Sequence, residues 1–142
     1  MTSKVEISNA EWELMRLLWT LGHATSRQLS EILAEKFSWK TATVKTLLHR
    51  LIDKQIVRSE KHGRAFMYYP NVGEQSTIDQ QVMNAMDKIC QMHVGQTLNY
   101  ILKQVPLSQA DIKTLQQTLV QKQKDAPEVL ECNCLPSVNC KH

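Results

Sequence analysis

The stretch from Thr41 to Asp53 constrains this chain more than any other. Val44, Leu47, Leu48, Leu51 and Ile52 recur at the spacing of one helical face. Opposite them lie Thr41, Ala42, Thr43, Lys45, Thr46, His49 and Arg50, with no acid before Asp53. A helix face that is merely solvated usually mixes Glu with Lys. Short hydroxyls, a methyl and long cations suit the major groove of DNA, which admits one helix and offers base edges to its N-terminal turns.

The apolar stripe of this helix needs partners, and the preceding residues supply them. Ser8-Asn9-Ala10-Glu11 and Thr25-Ser26-Arg27-Gln28 are capping boxes, each opening a helix. The first helix carries Trp12, Met15 and Trp19 on one face, with Leu14, Leu18 and Leu21 beside it, and Gly22 ends it. The second buries Leu29, Ile32 and Leu33 and stops near Phe37. After the third helix come two β-rich runs, Gln55 to Glu60 and Ala65 to Pro70, around Lys61-His62-Gly63-Arg64, which predicts a hairpin. Three short helices and a basic-tipped hairpin are the winged helix-turn-helix arrangement. Within it, Lys45 suits guanine O6 or N7, Thr43 and Thr46 suit bases or phosphates, and the Ala42 methyl suits a thymine methyl. His49 and Arg50, further along, suit the backbone, and Arg64 and Lys61 at the hairpin tip suit an adjacent phosphate or a minor-groove edge. The alternative is an ordinary three-helix domain with a solvated basic face.

Charge supports the nucleic-acid reading. Residues 1–70 hold 11 Lys+Arg against 7 Asp+Glu, and residues 71–142 hold 6 against 7, which together give the net charge of +3. The excess is concentrated from Arg27 to Arg64.

The second half is helical in pattern and of different construction. Ile78, Val82, Ala85, Met86 and Ile89 predict a long helix, interrupted at His93-Val94-Gly95. Leu98, Ile101, Leu102 and Val105 predict a short one before Pro106, and Ser108-Gln109-Ala110-Asp111 caps another with Ile112, Leu115 and Leu119. These stripes need an apolar surface to cover them, and a second copy of the chain is the simplest supply.

Three of the four cysteines fall in the last eleven residues, as Cys132, Cys134 and Cys140, followed by His142. This CxC-x5-CxH pattern reads as a metal site, because three thiolates and an imidazole satisfy tetrahedral zinc. Thiolates also favour Cu(I), which accepts two or three sulfurs. The alternative is a disordered tail with oxidisable thiols. Cys90, among Met86, Ile89 and Met92, reads as a small buried apolar residue rather than a ligand.

The remaining motifs exclude other classes. There is no Gly-rich phosphate loop, GxSxG or HExxH, and His23, His62 and His93 fall in a turn, the wing and a helix break, so no enzyme is expected. The acids Glu11 and Glu13 read as first-turn partners of the helix dipole. Met1 to Glu6 lacks a signal-peptide core, and no apolar run approaches the roughly 18 residues of a membrane span. A cytoplasmic location is therefore expected.

These residues carry a resemblance. Ile7-Ser8-Asn9-Ala10-Glu11-Trp12-Glu13-Leu14-Met15 with Leu18-Trp19, then Trp39 through Leu51, then Arg64 with Tyr68-Tyr69, are similar to the penicillinase-repressor family, which includes BlaI and MecI. The terminal CxC resembles the CopY-type copper-responsive branch within it. The resemblance implies a homodimer on a pseudo-palindromic operator, with Ala42, Thr43, Lys45 and Thr46 where the family reads bases. It implies zinc in the tail of the DNA-bound form, Cu(I) as inducer, and a copper chaperone as a possible donor. Two positions depart from the pattern. The usual tail is CxC-x4-CxC, and here the spacer is five residues and the last position is His142. The residue after Lys54, commonly Gly in the family, is Gln55.

The expected architecture is thus mainly α. It comprises a winged helix-turn-helix DNA-binding domain over 1–70, a helical dimerisation region over 71–127 and a Cys/His metal-binding tail over 128–142. The expected function is copper-responsive repression. The alternatives are an antibiotic-responsive repressor of the same family, a zinc- or copper-binding protein, and a thiol redox sensor.

Overall fold

The structure is a computed structural model that describes residues 6–135. The chain divides into two compact units, one ending at Asn84 and the other beginning at Ala85.

In the first unit the order is α1 (Asn9–Leu21), β1 (Ala24–Thr25), α2 (Ser26–Phe37), α3 (Thr41–Asp53), β2 (Val57–His62) and β3 (Ala65–Pro70), followed by α4 (Glu74–Met86), which runs across the division. The hydroxyls of Ser8 and Thr25 accept from the main-chain N–H of Glu11 and Gln28, so both N-caps form, but only the Thr25/Gln28 capping box is complete. Leu14, Met15 and Leu18 of α1, Leu29 and Leu33 of α2, and Val44, Leu47, Leu48 and Leu51 of α3 interlock as one core, closed by Ala24, Ile56 and Val57. Ile32 and Ile52 are only half-buried, and Leu21, the last residue of α1, is exposed.

The three strands lie in the order β1-β3-β2, both pairings antiparallel. The predicted hairpin forms, but its first strand runs on through Lys61 and His62, which the sequence assigns to the turn. His62 pairs with Ala65, so Gly63 and Arg64 form a two-residue turn in which Gly63 takes the positive φ of 65°. The short strand β1 was not legible, because two residues show no alternation. The indole N–H of Trp19 donates to Val72 O at 3.1 Å, which fastens α1 to the chain leaving the wing.

The end of α3 explains why glycine suits the position after Lys54. Gln55 N–H donates to Ile52 O at 2.9 Å and Ile56 N–H donates to Leu51 O at 3.0 Å, the paired bonds of a Schellman motif. Gln55 is consequently left-handed, with φ at 64°. A side chain there is strained, whereas glycine loses more freedom on folding; the difference favours glycine by about 0.5–1 kcal/mol. Gln55→Gly is expected to raise unfolding stability by that amount in urea denaturation. An unchanged or lower midpoint contradicts it.

A second departure concerns Glu11. It lies in the first turn of α1, as predicted, but its carboxylate is buried at 3% exposure. Lys54 Nζ donates to both of its oxygens, at 2.8 and 3.0 Å, and to Glu6 O at 2.6 Å.

The second unit contains α5 (Gln91–Gln104) and α6 (Gln109–Gln123), the latter opened by the predicted Ser108/Asp111 capping box. The helix break lies earlier than the sequence suggests. It falls at 87–90, where Lys88 and Ile89 N–H turn back to Ala85 and Met86 O, and α5 then runs unbroken through Gly95. Of the described residues in this unit, Cys90 alone is buried. Leu98, Ile101, Leu102, Ile112, Leu115, Leu119 and Val120 are all exposed. No helix among the described residues is long and apolar enough to cross a membrane.

Candidate nucleic-acid interface and thiol cluster

Core packing fixes which face of α3 is outward. With Val44, Leu47, Leu48 and Leu51 buried, Thr41, Ala42, Thr43, Lys45, Thr46, His49 and Arg50 are all exposed, and so is Arg64 at the wing tip. The structure therefore places all eight residues expected to meet DNA on the surface, seven of them on one helix.

The cations of this unit fall into two groups. Arg16 and Lys36 pair with Glu13, Arg27 with Glu31, Lys54 with Glu11 and Arg58 with Glu60. Among the described residues, Lys40, Lys45, Arg50, Lys61 and Arg64 form no ion pair. The unneutralised charges are thus those on α3, at its entry and at the wing tip. They leave a positive field on the surfaces that phosphates would approach.

The start of α3 adds to this. Lys40 offers it no side-chain cap, unlike Ser8, Thr25 and Ser108 on α1, α2 and α6. Uncapped N–H groups aligned with the helix dipole suit a phosphate oxygen. Thr43 and Thr46 differ in what they offer. Thr46 Oγ1 donates to Ala42 O at 3.0 Å, so its hydroxyl is left as an acceptor, and Thr43 makes no such bond.

Wing geometry is held by aromatic contacts. The Arg58 guanidinium lies 4.7 Å from the centre of the Tyr69 ring, and the Tyr69 hydroxyl meets His62 Nε2 at 3.2 Å. These brace the strands that carry Arg64.

In the second unit, Cys90, Cys132 and Cys134 come together with their sulfurs all within 4.8 Å of one another. Cys90 is the N-cap of α5, and the Cys132-Asn133-Cys134 segment lies against that helix start. Two bonds hold it there. Gln91 N–H donates to Asn133 Oδ1 at 3.0 Å, and the Gln91 side-chain amide donates to Glu131 O. Cys90 and Cys134 carry thiols, while Cys132 is disulfide-linked and so offers a thiolate only once reduced.

The Met92 main-chain N–H facing its sulfur pulls the Cys90 thiol below its ordinary value, helped by the Asn133 main chain and Cys134. Burial opposes this without reversing it. Cys134 is pushed up, mainly because its S–H serves the Cys90 sulfur. The donor set fits a soft or borderline ion. Around zinc, with Zn–S near 2.3 Å, sulfurs sit about 3.8 Å apart, so closing on one ion asks for shifts of about 1 Å.

Of the four predicted ligands, the structure places Cys132 and Cys134 together, while Cys140 and His142 lie outside the described residues. Cys90 is buried, as the sequence predicts, but its place beside Cys132 and Cys134 is not legible there, since Met86, Ile89 and Met92 put it in an apolar pattern and the helix break at 87–90 takes it out of their stripe.

The penicillinase repressor family pattern matches residues 7–121. An uncharacterised 16.5 kDa protein from the ptsI 3' region of Latilactobacillus sakei is 42% identical over 132 residues, covering 93% of this chain and 90% of that protein. The methicillin resistance regulatory protein MecI of Mammaliicoccus sciuri is 30% identical over 118 residues, covering 82% and 95%. The solved structure of the CopR repressor is 40% identical with a TM-score of 0.42, covering 49% of this chain and 100% of that one.

Proposed function

Since the chain belongs to the penicillinase repressor family, and is thus a DNA-binding transcriptional repressor rather than an enzyme, we propose that soft metals control it. It binds a pseudo-palindromic operator as a zinc-loaded homodimer, and Cu(I) uptake at the C-terminal cysteines displaces zinc and releases DNA. The genes it represses then serve copper homeostasis.

The observation that carries this reading is the meeting of Cys132 and Cys134 with a third sulfur in one cluster. The 1–70 region reads DNA through Thr41, Ala42, Thr43, Lys45, Thr46, His49, Arg50 and Arg64. Residues 71–127 pair the subunits, and 128–142 hold the metal through Cys132, Cys134, Cys140 and His142. The uncovered apolar residues of α5 and α6 support a second copy as partner. When bound, the ion would supply a cross-link between thiolates. A coupling of roughly 3 kcal/mol between metal and operator lowers DNA affinity over a hundredfold. Cu(I) reaches the protein in the cytoplasm, free or handed over by a copper chaperone.

The test is operator binding by gel shift with zinc, with Cu(I) and with a chelator. Wild-type protein is expected to release the operator with Cu(I), and the double variant Cys132→Ser, Cys134→Ser to hold it. Normal copper-driven release by the double variant refutes the role of the tail. The disulfide-linked state of Cys132 favours a second reading, a thiol redox sensor. Release by oxidant in the absence of copper selects it.

A further inference from the structure

We propose that Cys90, Cys132 and Cys134 form a three-thiolate Cu(I) site, in which Cys90 supplies a ligand from the start of α5. The proposal rests on the copper-responsive reading above and extends it to a residue outside the tail.

Three observations converge. The three sulfurs already lie within 4.8 Å of one another, although Cys90 is 42 residues from Cys132 in sequence. Gln91, the residue next to Cys90, holds both Glu131 and Asn133, so the CxC segment is seated on the helix start by bonds that involve no metal. Cys90 is 7% exposed, so an ion bound there is shielded from water on the helix side.

The number of donors selects the ion. Among the described residues, no further His, Cys, Asp or Glu joins this cluster. Three sulfurs satisfy Cu(I), whereas closed zinc sites take four ligands. Cys132 and Cys134 are shared with the proposed zinc set, so the two metals compete for them and only Cu(I) recruits α5. Binding requires Cys132 as a thiol. A dithiol reductant gives two electrons and two protons to its disulfide and becomes a disulfide itself. Each thiol then loses one proton on ligation, and the copper stays Cu(I) throughout.

The experiment uses the full chain, reduced with a dithiol and kept anaerobic. Cu(I) affinity is measured by competition with a chromogenic Cu(I) chelator, and zinc affinity in parallel. Serine is a good N-cap, so Cys90→Ser keeps α5 intact, which circular dichroism verifies. Changes merely around a metal site already cost about tenfold. Cys90→Ser is therefore expected to weaken Cu(I) at least tenfold and to leave zinc within twofold. Unchanged Cu(I) affinity in Cys90→Ser, with loss in Cys132→Ser, Cys134→Ser, overturns the role of Cys90 alone. Absence of Cu(I) binding by the wild type overturns this proposal together with the reading beneath it. A check without any variant is alkylation of Cys90 in the wild type, read by mass spectrometry. Cu(I) is expected to slow it, and an unchanged rate counts against the site.

Discussion

Lys45→Ala is expected to weaken operator binding by about 30-fold to over 10,000-fold while leaving oligomeric state unchanged. Lys45 is exposed on α3, two residues after Thr43, and pairs with no acid among the described residues. A direct base contact carries about 1–3 kcal/mol of discrimination. The proposed dimer on two half-sites would lose it twice, about 2–6 kcal/mol, and each 1.4 kcal/mol is tenfold. The loss falls on specific DNA far more than on random sequence. Arg64→Ala provides the contrast. If Arg64 holds a phosphate as proposed, its removal is expected to weaken all sequences alike and flatten the salt dependence. Gel shifts with operator and scrambled duplexes at two salt concentrations separate them. Retained operator affinity in Lys45→Ala removes Lys45 as a base-reading residue.

Lys54→Met is expected to destabilise the first unit by about 2–3 kcal/mol. The Glu11 carboxylate is 3% exposed and takes both of its oxygens' bonds from Lys54. Removing one member of a buried pair costs about 3–5 kcal/mol; the figure here is set lower because Lys54 keeps part of its side chain in water. Replacing both, as Glu11→Leu with Lys54→Met, leaves no stranded charge and is expected to recover most of the loss. Chemical denaturation of the single and double variants measures this. A single variant as stable as wild type shows that the pair contributes nothing. The pair ties the start of α1 to the end of α3, so operator affinity of the folded Lys54→Met protein also reports whether α3 is held in position.

The sequence determined the winged unit almost completely. Its signals are local: a 3-4-7-8 stripe, hydroxyl caps three residues before Glu or Gln, and a glycine in the turn between two β-rich runs. Each acts over one or two helical turns or one hairpin, so each is legible without knowing the fold. The outward face of α3 followed from the same periodicity, since burying Val44, Leu47, Leu48 and Leu51 leaves the other residues no choice. The CxC segment was legible for the same reason, its two sulfurs being adjacent in the chain.

Tertiary structure decided what depends on distant partners. Glu11 became a buried ligand of Lys54 because α1 and α3 pack together, and nothing near Glu11 in sequence announces Lys54. The five unpaired cations stand out only once the other five have found their acids in space. Gln55 is left-handed because the Schellman bonds of α3 demand it. The helix break at 87–90 is set by i to i+3 turns that no hydrophobic period encodes, and it alone turns Cys90 from a core thiol into a neighbour of Cys132 and Cys134. Periodicity reports which side of an element is apolar. It does not report which polar groups meet across the fold, because those distances are fixed by packing.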